Sequence, residues 1–330
     1  MRKVTKILLR ALSAIILLLI IFPLLMALLL AMPAVQNIAI DRAATWAGDK
    51  LGTKVLVGHI TVGLLNRVSV RDFYVEDWDG DTLLYVNRAD ARIASLASLV
   101  NKNLVLEYGN IDGGKFVVRE TERGTFAVKE ITDQLVNRNK RSEFRLDIRL
   151  LNASGVEFHL LRNDEKREGG GIDFADMRLF DVKASLYDFS VDGGAVDSKF
   201  KNLSFGERSG FKLQDADGHF YVYGGKVLVD DAHLQTEQSS INLERCLLNG
   251  NNWLEYRDFI NVVPMECQVC ESKVSSEDVG YFAPAMWRWK TSIHDATASM
   301  KGTVSDFTGE ITKVVLEKGS VLEGSGPAAG

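Results

Sequence analysis

Glu143-Phe144-Arg145-Leu146-Asp147-Ile148-Arg149-Leu150 is the stretch on which the fold turns: four apolar side chains alternate without a slip with four charged ones. A strand points successive side chains to opposite faces, so this segment reads as a strand with one wet face and one oily face. Whatever covers the oily face defines the protein.

The chain has 330 residues, 46% of them hydrophobic and 25% charged, enough for one large domain or two. Its formal charge is −5, and Arg2, Lys3, Lys6 and Arg10 supply +4 of positive charge, so the remainder carries −9 (−5 less 4). A body that acidic lacks the basic surface that nucleic acid requires. The three cysteines, Cys246, Cys267 and Cys270, do not make a complete disulfide framework. Cys267 and Cys270 form a C-x-x-C with no second ligand pair and no histidine nearby in sequence, so they read as small residues or an incidental disulfide.

Ala11 to Met32 is a run of 22 residues without charge. As a helix it would be about 33 Å long, enough to cross a hydrocarbon core. It exceeds the ~7–15 apolar residues of a cleaved signal peptide, which favours a retained anchor. The basic residues before it keep the N-terminus in the cytoplasm and place the rest across the membrane. Pro33 to Leu51 reads as a helix closed by Gly52. It rests on the bilayer surface or plugs one end of a β domain; the residues leave both open. The expected divisions are a basic stub at 1–10, a transmembrane helix at 11–32, a juxtamembrane helix at 33–52, a β domain at 53–323 and a linker-like tail at 324–330 where the chain reads as truncated.

From Thr53 onward the period is mainly two. Asp77-Trp78-Asp79-Gly80-Asp81 is a hairpin turn between alternating runs and lacks the spacing and terminal Glu of a calcium loop. Leu104–Tyr108 and Lys115–Arg119 read as separate strands punctuated by Gly113-Gly114. Likewise Asn152-Ala153-Ser154-Gly155 reads as a turn between the opening strand and Val156–Leu161. Phe180, Val182, Ala184 and Leu186 share one side of a later strand. Further strands are expected at Lys199–Phe205, His219–Tyr223, Lys226–Val229, Ser240–Leu247, Thr297–Val304 and Glu310–Leu316, with short helices at Ser95–Asn101 and Lys129–Asn137. The fold class is mainly β, and the helices are too few to cover so many strands. A second sheet or a non-protein partner must cover the oily face.

No G-x-S-x-G elbow, P-loop or paired histidine motif occurs, so neither an enzyme nor a cofactor or metal site is expected. His159 reads as a solvated histidine on the wet side of its strand. The acidic pairs Asp215/Asp217 and Asp230/Asp231 read as turn carboxylates. The aromatic group Trp253, Tyr256, Phe259, Tyr281, Phe282, Trp287 and Trp289 reads as core or cap.

GTKVLVGHITVGLLNRVSVRDFYVEDWDGDTLLYV (Gly52 to Val86) resembles the N-terminal region of TamB-like proteins of the Bacteroidetes type, and LSFGERSGFKL (Leu203 to Leu213) resembles a second stretch of them. The resemblance covers residues 1–215 well and the remainder loosely. TamB belongs with the AsmA-like, bridge-like lipid-transfer proteins. What the resemblance implies is an inner-membrane anchor and an elongated β-sheet curled into an open trough through the periplasm. That trough carries phospholipid toward the outer membrane, with an Omp85-type outer-membrane partner met through a C-terminal region beyond this chain. It equally implies a role in the translocation and assembly of outer-membrane β-barrel proteins. The relatives are several times longer than this chain.

Three functions follow as expectations: an anchored periplasmic lipid conduit, an assembly factor offering strand edges to clients, and an anchored structural sandwich. The mark of the first is a continuous apolar stripe along successive strands. Its acyl-contact residues are expected to be Phe144, Leu146, Ile148, Leu150, Val156, Phe158 and Leu160.

Overall fold

The computed structural model describes residues 45, 48–49, 51–63, 66–94, 103–122, 126–127, 145–163, 170–192, 194–252, 255–316, 321–323 and 327–329. The expected membrane span at 11–32, most of the helix at 33–52, Phe144, and the helices at Ser95–Asn101 and Lys129–Asn137 lie outside them. No described helix is long and apolar enough to cross a membrane. The chain is mainly β, in a mixed sheet that is not closed. It divides into two compact units.

The first unit holds β1 (Val55–Gly63), β2 (Arg67–Glu76), β3 (Thr82–Ile93), β4 (Asn103–Arg119), β5 (Arg145–Leu161) and β6 (Asp176–Asp192). Neighbours in sequence are neighbours in the sheet, all antiparallel except β4 and β5, which run parallel from Asn103↔Arg145 to Arg119↔Leu161. A parallel pair needs a crossover rather than a hairpin. The expected turn between β2 and β3 is present and tightly held. Asp77 accepts the backbone N–H groups of Asp79 and Asp81, and Arg119 on β4 reaches across to Asp77 and Asp81.

Two expected turns are absent. Residues 152–155 and Gly113-Gly114 lie inside single 17-residue strands. Alternation stops there because Gly113 (φ 70°) and Gly155 (φ 61°) are left-handed, which inserts an irregularity without ending the strand. Asp72 on β2 and Asp181 and Asp188 on β6 do the same. Short polar side chains tolerate this region best.

The second unit holds residues 170–173 and, from Asp197 onward, β7 (Ala195–Glu207), β8 (Lys212–Tyr223), β9 (Lys226–Thr236), β10 (Ser240–Asn249), β11 (Met265–Ser275), β12 (Ser292–Gly302) and β13 (Phe307–Leu316). The short β14 (Val321–Glu323) and β15 (Pro327–Ala329) both pair with β13, so part of the expected linker tail takes up free donors and acceptors of that strand's edge. Among the described residues the unit also holds two short α-helices, α1 (Phe259–Val262) and α2 (Ser276–Phe282), the latter capped by the Ser275 hydroxyl accepting the Glu277 N–H. β11 was not among the expected strands, although Met265, Cys267 and Val269 alternate with Glu266 and Gln268.

Candidate functional site

Residues directly opposite on paired strands share a face. Followed across the first unit, they form unbroken apolar rows. One runs Val55–Val75–Leu84–Phe116–Phe158–Leu179, the next Val57–Phe73–Val86–Gly114–Val156–Val182, and a third Ile60–Val70–Ala89–Ile111–Ala153–Ala184. Beyond these lie Val68–Ala91–Gly109–Leu151–Leu186, then Ile93–Leu106–Ile148–Phe189, and finally Leu104–Leu146–Val191.

The rows survive because the strands slip phase together. β4 passes its face position from Leu106 to Gly109, and β5 from Ile148 to Leu151. A Cβ built on Gly109 would lie 2.9 Å from Leu151 Cδ1 and 4.0 Å from Ile148 Cγ2, so both side chains stand on the face that Gly109 joins. The second slip crosses Gly113 and Gly155, after which Phe116 and Phe158 meet with ring centroids 5.9 Å apart. On β6 the slips fall at Asp188 and Asp181.

Two expectations from simple alternation therefore need correction. Leu150 leaves the oily face and lies opposite Tyr187, which is 37% exposed, while Leu151 takes its place. Phe180 is 46% exposed and does not share the side of Val182, Ala184 and Leu186, because the left-handed Asp181 separates them.

Accessibility divides the face. Leu146 and Ile148 are each 1% exposed, and the β1–β3 members, apart from the half-buried Val57, Ala89 and Ala91, are buried. Across β4–β6, from Leu151 to Leu160 and on the paired positions of β4 and β6, the apolar side chains are half-buried. Val156, Phe158 and Leu160 belong to this open part. Leu146 and Ile148 belong to the closed part.

The opposite face is mixed, with Leu150, Phe180 and Tyr187 beside its charged groups. It carries Arg88–Asp90, Arg92–Glu107 and Arg145–Asp147 ion pairs and a Ser185–Asn152 hydrogen bond. His159 is not the solvated histidine its position suggested. Its Nε2 lies 2.7 Å from the buried Asp176 carboxylate, which Arg178 also contacts at 3.2 Å. That pairing joins β5 to β6, and sequence distance hid it.

The second unit has its own apolar row, Phe220–Val229–Cys246–Cys267–Met300. The rings of Phe200 and Phe220 lie 6.2 Å apart and tilted, and a Cβ on Gly218 would touch both Ala232 and Phe200, so these share the face. Cys246 and Cys267 are joined by a disulfide, and Cys270 is free. The C-x-x-C is thus not a pair: strand pairing, not sequence proximity, chose the partner of Cys267.

On β8, His219 sits between Asp230 at 2.7 Å and Asp197 at 3.2 Å. Burial works against its charge, but the hydrogen bonds to Asp230 and Asp197 outweigh this and raise its pKa above 6.5. The aromatic group separates into parts. Tyr256 stacks on Phe259. Tyr281 meets Phe211 and Trp287, while Phe282 meets Phe211, and Trp289 stands 70% exposed. Trp253 lies outside the described residues.

No family model and no curated protein matches this chain.

Proposed function

We propose that this protein is a membrane-anchored periplasmic lipid carrier, and that acyl chains rest on the half-buried apolar face of β4–β6 on the way between inner and outer membranes. The observation that carries this reading is the set of apolar rows kept on one face through two phase slips and left half-open over β4–β6. Contiguous apolar surface of this kind marks an interaction site. Each CH₂ group removed from water there contributes about 0.8 kcal/mol, so the face binds chains without any directional chemistry. The disulfide in the second unit supports placement on the oxidising side of the membrane. The cluster of basic residues ahead of residue 11 supports the same orientation. The Omp85-type partner rests on the sequence resemblance alone.

The test is photo-crosslinking in cells with a photoreactive residue at Phe158, on the open face, and a control at Glu157, its neighbour on the opposite face. Phospholipid adducts at Phe158 and not at Glu157 are expected. Intrachain adducts alone at Phe158 would establish a packed core and a structural sandwich. Adducts to outer-membrane barrel proteins would turn the reading to client assembly.

A further inference from the structure

The Cys246–Cys267 disulfide joins residues that lie directly opposite on β10 and β11, within the apolar row of the second unit. The bonded pair lies in a regular stretch, and the ladders on both edges of β11 are broken just beyond it, from Gln268 to Val274. The β10–β11 register shifts between Ser240 and Asn242 and again between Leu243 and Arg245, and the β11–β12 register shifts on both sides of Ser272. Glu271, within the first of these β11–β12 shifts, is left-handed at φ 42°. β11 is therefore held by interrupted ladders on both of its edges. A one-residue slip would turn Cys267 and Val269 off the apolar face and bring Glu266 and Gln268 onto it. The row would break at its centre.

We propose that the Cys246/Cys267 pair is a substrate site for a thiol–disulfide oxidase of the compartment that receives this unit, and that the bond so made locks the register of β10 on β11. Both cysteines are half-buried, which leaves them within reach of another protein's reactive disulfide. In the reaction one thiolate of the pair attacks the oxidase disulfide, forming a mixed disulfide and releasing one oxidase thiol. The second thiolate then attacks the mixed disulfide. The S–S bond of this chain forms, and the oxidase departs with two thiols that have taken up both electrons and both protons. Cys270 faces Asn242 in the register and takes no part.

Two readouts on the full chain test this. First, free thiols are capped with a maleimide polymer at harvest. One adduct, at Cys270, is expected in normal cells and three in cells lacking the oxidase; three in normal cells, or one in both, overturns the enzyme's role. Second, register reporters are built in a C270S background. Leu248→Cys with Met265→Cys reads the observed register, and Leu248→Cys with Glu266→Cys reads a one-residue slip. With Cys246 and Cys267 intact, only the first pair crosslinks. With C246A and C267A added, both pairs are expected to crosslink. Crosslinking of the first pair alone in that background overturns the lock. If the double variant does not accumulate, wild-type protein is reduced with a phosphine and its amide exchange followed. Faster exchange confined to β10 and β11 supports the lock, and unchanged exchange overturns it.

Discussion

Gly113 and Gly155 lie side by side on the parallel strands β4 and β5: a Cβ built on Gly155 would come within 3.8 Å of the Gly113 Cα. Both are left-handed, so both strands shift phase at the same level and the apolar face passes through unbroken.

That relationship sets the first expected outcome. Gly155→Ala forces a left-handed alanine and costs about 1–2 kcal/mol. Gly155→Asn costs less, since Asn tolerates the region. Denaturant unfolding of the purified chain measures both, and equal losses for the two variants would show that space, not backbone conformation, governs the position.

Charge placed on the apolar face separates its closed and open parts. Ile148→Asp buries a carboxylate between Leu106 and Phe189 and is expected to destabilise the first unit by more than about 3 kcal/mol. Phe158→Asp, in the half-buried part, is expected to leave folding cooperative while abolishing lipid adducts in its neighbourhood. Thermal unfolding alongside lipid crosslinking from Val156 reads the two effects. Unfolding by Phe158→Asp to the same degree as Ile148→Asp would argue for a packed core.

Arg119 is the counter-charge of the β2–β3 turn. Burial opposes its charge, but Asp77 and Asp81 hold its pKa above the ordinary value. Arg119→Met leaves the Asp77 carboxylate, 2% exposed, without that partner and is expected to cost about 3–5 kcal/mol. R119M combined with D77N should recover much of this loss in a denaturant titration. No recovery would mean that the arginine acts through its packing.

His219 makes stability pH-dependent with a definite sign. Its folded pKa is raised above 6.5, so its contribution is fully present below 6.5 and is lost as pH rises through the folded value. Asp230→Asn removes the nearer of its two carboxylates and should flatten that fall. Unfolding midpoints taken across the neutral range for both proteins check it. An unchanged slope in Asp230→Asn would place the titration elsewhere.

Much of this was legible in the residues. Period-two alternation established strands from Thr53 onward, and the Asp-Gly turn at Asp77–Asp81 stands where its chemistry put it. The strand β11 and its capped helix α2 carried signals too, Met265-Glu266-Cys267-Gln268-Val269 and Ser275 followed by Glu277 and Asp278.

What the sequence by itself determined is the period: which side chains alternate, and hence that the chain is β with one oily and one wet face per strand. Which residues share a face across a slip was decided only by tertiary pairing. Leu150 and Leu151 are equally apolar and adjacent, yet only Leu151 joins the row, because its neighbour across β4 is Gly109 and across β6 is Leu186. The same holds for Cys267, bonded to Cys246 twenty-one residues away and not to Cys270. Alternation is a local property of the backbone, whereas register is an agreement between distant strands, and a phase slip such as that between Ile148 and Leu151 shows only once the strands are paired.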